Sequence, residues 1–201
     1  MMSPRMSIFV KICGLTSPDM AMAAVEAGAD AVGFVFAESP RQVSVEQARD
    51  IADRLPAGIV KVAVMHHPTQ AEWDAVATGL RPDWLQTDAG DFVDLDIGDG
   101  VAPMPVFRDS ATLDAAAVAA APQALFEAPV SGAGQRADWT RAAELARTTR
   151  LMLAGGLDPD NVTAAIERVA PWGVDVSSGV EARRGVKDRD KITAFIRAVG
   201  K

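Results

Sequence analysis

A chain of 201 residues, 49% of them hydrophobic, can bury one sizeable core, and single α/β barrels and doubly wound sheets fit that length. Its formal charge of −7 argues against nucleic acid or an anionic membrane as the main partner. A small anionic substrate at a local positive cluster stays compatible with that balance. The single cysteine, Cys13, excludes an internal disulfide and points to a reducing cytoplasm. The apolar run in MMSPRMSIFVKICG is too short for the core of a signal peptide, and no stretch approaches the length of a membrane span.

Along the chain, short β-branched runs alternate with Ala-rich amphipathic stretches. Residues 8–13 predict a strand and 18–27 a helix, with Ser17 as cap and Pro18 in the first turn. A strand over 31–36 leads to a helix over 45–54, and a strand over 60–65 leads to a helix over 70–78. A fourth strand over 83–86 is followed by residues 87–101, which are acidic and only weakly helical. Strands over 103–107, 124–127, 150–154 and 173–176 then alternate with helices over 113–120, 138–147, 159–169 and 188–199. Eight strands with mostly helical crossovers predict one (β/α)8 barrel spanning residues 1–201, with a doubly wound sheet as the competing architecture.

Barrel geometry places function where strands end and the following loops begin. Cys13, Arg41, Gln86, Glu127, Gly155-Gly156 and Ser177-Ser178-Gly179 all fall at such ends. Side chains alternate along a strand, so Lys11 shares a face with Cys13, and Asp175 shares one with Ser177. The first and eighth strands are neighbours in a closed barrel, which predicts a Lys11–Asp175 pair inside it.

Each candidate has a plain alternative. A free cysteine is more often an inert buried hydrophobe, but a nearby ammonium and helix N-termini favour a thiolate able to act as base or nucleophile. Gly155-Gly156, ahead of Asp158-Pro159, reads as a tight turn into a helix whose N–H groups suit a phosphate, or as a loop glycine pair and nothing more. Ser177-Ser178-Gly179 on the next strand strengthens the phosphate reading. Arg41 could clamp a carboxylate, or be a surface arginine. Glu127 could donate a proton if burial raised its pKa, or be a solvated glutamate. A metal at His66 and His67 is set aside, because neighbouring strand residues point to opposite faces and no Cys or His elsewhere completes a set. DLDIGDG (residues 94–100) departs from a calcium loop in the spacing of its acids. The four tryptophans read as packing residues.

Taken together, KICGLT and GADAVGFVFAESPR near the start, with LAGGLDPDNV and GVDVSSGVEARRGVKD near the end, resemble the phosphoribosylanthranilate isomerases of tryptophan biosynthesis. The resemblance covers the first and last quarters of the chain. It implies a small (β/α)8 barrel performing an Amadori rearrangement of N-(5-phosphoribosyl)anthranilate, with no metal or organic cofactor. It implies Cys13 as the base at C2 of the ribose, Arg41 on the anthranilate carboxylate, Asp175 as the strand-eight aspartate, and phosphate contacts from Gly155, Gly156, Ser178 and Gly179.

The middle of the chain departs from the family pattern. Glu127 stands where the family has an aspartate acid. Ser131-Gly132-Ala133-Gly134-Gln135 replaces GGTGK, although Asp138-Trp139 survives. Gln86-Thr87-Asp88-Ala89-Gly90 replaces QLHG, and His66-His67-Pro68 stands where an asparagine is usual. A barrel acting on another sugar phosphate, and a non-catalytic barrel that only binds a phosphorylated ligand, are the competing readings. Apolar helix faces serve a core and an interface alike, so both a monomer and a homodimer are compatible with the chain.

Overall fold

A computed structural model describes residues 7–130 and 134–201; the loop residues 131–133 compared above with the family's GGTGK lie outside the described residues. Eight parallel strands close into a barrel in sequence order: β1 (Phe9–Cys13), β2 (Ala31–Val35), β3 (Val60–Val64), β4 (Trp84–Asp88), β5 (Ala102–Arg108), β6 (Gln123–Glu127), β7 (Arg150–Leu153) and β8 (Gly173–Val176). Among the described residues, seven α-helices pack outside it: α1 (Pro18–Ala27), α2 (Val45–Ala52), α3 (Gln70–Leu80), α4 (Ala115–Ala120), α5 (Trp139–Leu145), α6 (Val162–Val169) and α7 (Arg189–Val199). The barrel expectation stands, and no helix among the described residues is long and apolar enough to cross a membrane.

Local chemistry accounts for the boundaries. Ser44 and Thr69 each cap a helix and receive a reciprocal bond from Gln47 and Glu72, so α2 and α3 both begin in capping boxes. Gly28 ends α1 in the left-handed conformation that favours glycine. The acidic segment after β4 forms a short 3₁₀ helix (Ala89–Val93), so the β4–β5 crossover carries no α-helix. Beyond β8 the chain adds a second 3₁₀ turn (Ser178–Val180) and a hairpin of β9 (Glu181–Arg183) with β10 (Val186–Lys187). Neither hairpin strand shows in the sequence pattern, because two or three residues are too few to establish a period.

Two apolar layers hold the barrel. The outer one, between strands and helices, includes Val10, Ile12, Phe34, Trp73, Phe126, Leu153, Val176 and Phe195. The inner one is Met104, Val106, Leu125, Met152 and Ala154. Beneath it Phe9, Trp84 and Trp172 stack, with centroids 4.7 Å (Phe9–Trp172) and 5.3 Å (Phe9–Trp84) apart, and plug the N-terminal end. Trp73 is also buried, in agreement with packing roles for these three tryptophans.

The polar element of this interior is the predicted pair. Lys11 lies opposite Asp175 in the β1–β8 register, and its Nζ is 2.7 Å from Asp175 Oδ1 with no exposure of the lysine. Gly33 on β2 leaves the room for it, since a Cβ there would stand 3.1 Å from Lys11 Nζ and 3.0 Å from Cys13 Sγ. Removing one member strands a buried charge. Lys11→Met is therefore expected to lower unfolding stability by about 3–5 kcal/mol, with most of the loss recovered in Lys11→Met/Asp175→Leu. Urea titration reads both as shifts in midpoint; equal losses in the single and double variants would show that the charge pairing is not the cause.

Candidate active site

The C-terminal ends of the strands surround a cavity of ≈ 490 Å³, within the range usual for small-molecule sites. Cys13 from β1, Arg41 after β2, Gln86 from β4, Glu127 from β6, Gly155 and Gly156 after β7, and Asp175, Ser177 and Ser178 at β8 all line it. The topology thus gathers residues from across the whole sequence onto one face. Two predicted site residues are not part of the lining. Lys11 is fully buried beneath Cys13 and bound to Asp175. Gly179 packs against the preceding loop, where a Cβ would meet Leu157 O at 2.0 Å.

Cys13 is buried, and its electrostatics differ from the sequence expectation. Burial pushes the thiol up, against the pull of Lys11, while Asp175 pushes in the same direction as burial and Lys187 opposes it. The ammonium of Lys11 does not win because the effect of burial is larger, and Asp175 adds to it. Burial disfavours that ammonium too, yet Asp175 and then Cys13 outweigh burial and raise the lysine above its ordinary value.

Arg41 is also placed differently from a free clamp. Its Nε and Nη2 donate to Glu181 Oε1 and Oε2 at 2.7 and 3.1 Å, and the side chain is nearly buried. That fork uses two of the five guanidinium donors. Lys187 Nζ donates to the same Glu181 Oε1 at 2.9 Å and to the Ser177 carbonyl at 2.9 Å. The Ser177 hydroxyl in turn donates to the Cys13 carbonyl at 3.1 Å, so this serine ties β8 to β1 rather than offering an unengaged phosphate contact. Glu181 and Lys187 escaped the sequence reading because their hairpin did, although both sit inside the quoted GVEARRGVKD motif.

The loops after β7 and β8 are built for close approach. Gly155 and Gly156 have φ of +87° and +63°, and Cβ atoms there would meet Ala128 N at 2.8 Å and Arg136 Cγ at 2.7 Å. Helix α6 begins at Val162 rather than Pro159, because Asp158 Oδ1 first accepts from Asp160 N and Asn161 N. The glycine pair therefore opens a turn, and the helix end lies one step further on.

Opposite these loops is a charged group at the ends of β3 to β6. Arg108 pairs with Asp88 and lies 3.3 Å, Nε to Oε1, from Glu127. His66 and His67, expected on opposite faces, instead come together. Strand β3 ends at Val64, His67 has φ +47°, and their rings stand 4.1 Å apart. The alternation rule fails because the strand has already ended. His67 Nδ1 is 2.8 Å from Asp91 Oδ1, and that hydrogen bond pushes the imidazole pKa up. Gln86 is buried, and its Oε1 has no partner among the described residues. Arg108 falls one residue past the predicted end of its strand, and its position at a strand end was the signal that could have found it.

The family model for N-(5'phosphoribosyl)anthranilate (PRA) isomerase matches residues 10–198. The chain belongs to this family. A relative from Roseiflexus castenholzii, named N-(5'-phosphoribosyl)anthranilate isomerase, is 46% identical, with 95% of this chain and 97% of the relative covered. One of the same name from Pseudomonas fluorescens is 42% identical over 94% and 97%. Among solved structures, the phosphoribosyl anthranilate isomerase of Thermotoga maritima superposes with a TM-score of 0.84 at 33% identity, covering 96% of this chain and 98% of the other. Another, in complex with reduced 1-(o-carboxyphenylamino)-1-deoxyribulose 5-phosphate, gives 0.81 at 33% identity over 96% and 98%. The family's closed barrel is thus shared along nearly the whole chain, including the middle strands where the motifs diverge.

The Arg41–Glu181–Lys187 cluster generates a pH prediction. Its cations and the Gly185 N–H hold the Glu181 carboxyl, despite the opposing effect of burial, at about 2, below its usual 4.5. A depressed carboxyl contributes stability that is complete above the unfolded value and is lost as pH falls through the folded one. This contribution, about 3 kcal/mol at neutral pH, is expected to disappear between about pH 5 and pH 2. Urea unfolding across that range should show a shallower acid limb for Glu181→Gln than for the unsubstituted chain; parallel limbs would contradict the assignment.

Proposed function

We propose that this chain isomerises N-(5'-phosphoribosyl)anthranilate to 1-(2-carboxyphenylamino)-1-deoxyribulose 5-phosphate, a step of tryptophan biosynthesis. The observation carrying the reading is the placement of Cys13 and Glu127 on one cavity, three strands apart around the barrel, beside the paired β7 and β8 loops. Membership of the family supports the substrate, as does a solved relative in complex with reduced 1-(o-carboxyphenylamino)-1-deoxyribulose 5-phosphate.

In this reading the phosphate lies against Gly155, Gly156 and Ser178, whose close-set backbone suits an anion after the last two strands. Gly179 lets the two loops approach, and Ser177 holds the base strand in place. Arg41 offers its remaining donors to the anthranilate carboxylate while Glu181 fixes its plane. Gln86 supplies its open amide oxygen to a polar group of the substrate.

Glu127 gives a proton to the ring oxygen as the sugar opens, leaving an iminium at C1. Cys13, as thiolate, then takes the proton from C2. The electron pair of that C–H bond moves into the C1–C2 bond and neutralises the iminium, giving an enolamine that tautomerises to the ketose. Proton loss and gain balance, so no oxidant or net acid is needed. Asp175 and Lys11 do not touch the reacting carbons; they set the charge beneath the base. Arg108 orients Glu127. Glu127 ends β6, in register with Arg108 on β5.

Two measurements test the assignment. Loss of anthranilate fluorescence follows turnover, and Cys13→Ala and Glu127→Gln are each expected to lower kcat by about 10²–10⁴-fold. Glu127→Asp should retain more activity than Glu127→Gln. The step needs the Cys13 thiolate and the protonated Glu127 carboxyl at once, so kcat/KM should trace a bell against pH, and Glu127→Gln should lose one limb of it. A profile that keeps both limbs in Glu127→Gln would remove Glu127 as the acid.

A further inference from the structure

We propose that His66, His67 and Asp88 form a binding site for a divalent transition-metal ion of the zinc type at the β3–β4 rim of the cavity. Asp88 Oδ2 lies 3.4 Å from His66 Nε2 and 3.2 Å from His67 Nε2, and one ligand atom from each of the three residues falls within 4.8 Å of the others. Ligands bonded to zinc at about 2.0–2.1 Å in tetrahedral array stand about 3.3–3.4 Å apart. The two edges from Asp88 Oδ2 match that spacing.

The surroundings favour a metal over a chance meeting of side chains. His67 presents Nε2 to the group while Nδ1 is held by Asp91 Oδ1 at 2.8 Å, the carboxylate–histidine arrangement that fixes ring orientation and tautomer at metal sites. Asp91 is itself held by the Thr87 hydroxyl and the His67 backbone N–H. Arg108 occupies Asp88 Oδ1 and leaves Oδ2, the oxygen shared by both histidines, for the ion. Imidazole and carboxylate donors suit zinc, nickel and copper better than magnesium or calcium.

His66 and Asp88 both line the cavity, so an ion here faces the space away from the β7–β8 loops. The isomerisation needs no such ion, and the site stands or falls separately from the reaction.

The test is calorimetric titration of zinc chloride into the tag-free chain in metal-free buffer. One ion per chain with micromolar affinity is expected. His66→Gln, His67→Gln and Asp88→Asn should each weaken binding by at least ten-fold, and Asp91→Asn by about ten-fold through His67. Cys13→Ser should bind as the unsubstituted chain does, which separates this site from the buried thiol. Circular dichroism of each variant confirms the fold. Absence of saturable binding, or unchanged affinity in His66→Gln/His67→Gln, would overturn the site, as would loss of binding in Cys13→Ser alone.

Discussion

The buried Lys11–Asp175 pair is the constraint on which the rest of the structure depends. A closed barrel needs its first and last strands to meet in register, and this contact joins them at 2.7 Å. Two charges taken out of water gain little net stability over an apolar pair of similar size. Their value lies in specificity: a slip of one residue would turn Lys11 outward and leave Asp175 unpaired among apolar side chains. The same pair acts on the electrostatics one layer up, where Lys11 pulls the Cys13 thiol down and Asp175 pushes it up.

That arrangement has a chemical consequence. Burial dominates, so the thiol is raised and its thiolate is scarcer but more basic, while the neighbouring Lys187 limits how far it climbs. The Glu181 hub extends this control. It binds Lys187 and Arg41 through one carboxylate, and Lys187 also grips Ser177, whose hydroxyl holds the Cys13 carbonyl. Cys13, Arg41 and the β8 loop are therefore mechanically one unit.

Much of this was legible in the sequence, and the reasons differ by element. The strands could be read because most are short apolar runs buried on both faces, separated by helices with clear cap signatures. The Lys11–Asp175 pair followed from alternation plus closure, two rules that hold inside a regular strand. The rules gave out where regular structure did. His66 and His67 sit past the end of β3, so a strand's alternation no longer governed them. Glu181 and Lys187 sit on a hairpin too short to carry a period. Arg41 was read as available because sequence separation hides a partner 140 residues away.

The residues that diverge from the family's motifs collect on one side of the cavity, and this is where the physical argument leads. The loops after β7 and β8 keep the motif and pack closely, where a Cβ at Gly179 would overlap a carbonyl. Such a surface cannot change without breaking that packing. The β3–β6 rim is made instead of long charged side chains, Arg108, Glu127, Asp88 and the two histidines, that reach one another across strand ends. Side chains of this kind can exchange partners while the strands beneath stay fixed by their ladders. A glutamate can then replace an aspartate and two histidines an asparagine without altering the barrel. The motif-keeping loops and the rewritten rim are two responses of one scaffold to two different packing densities.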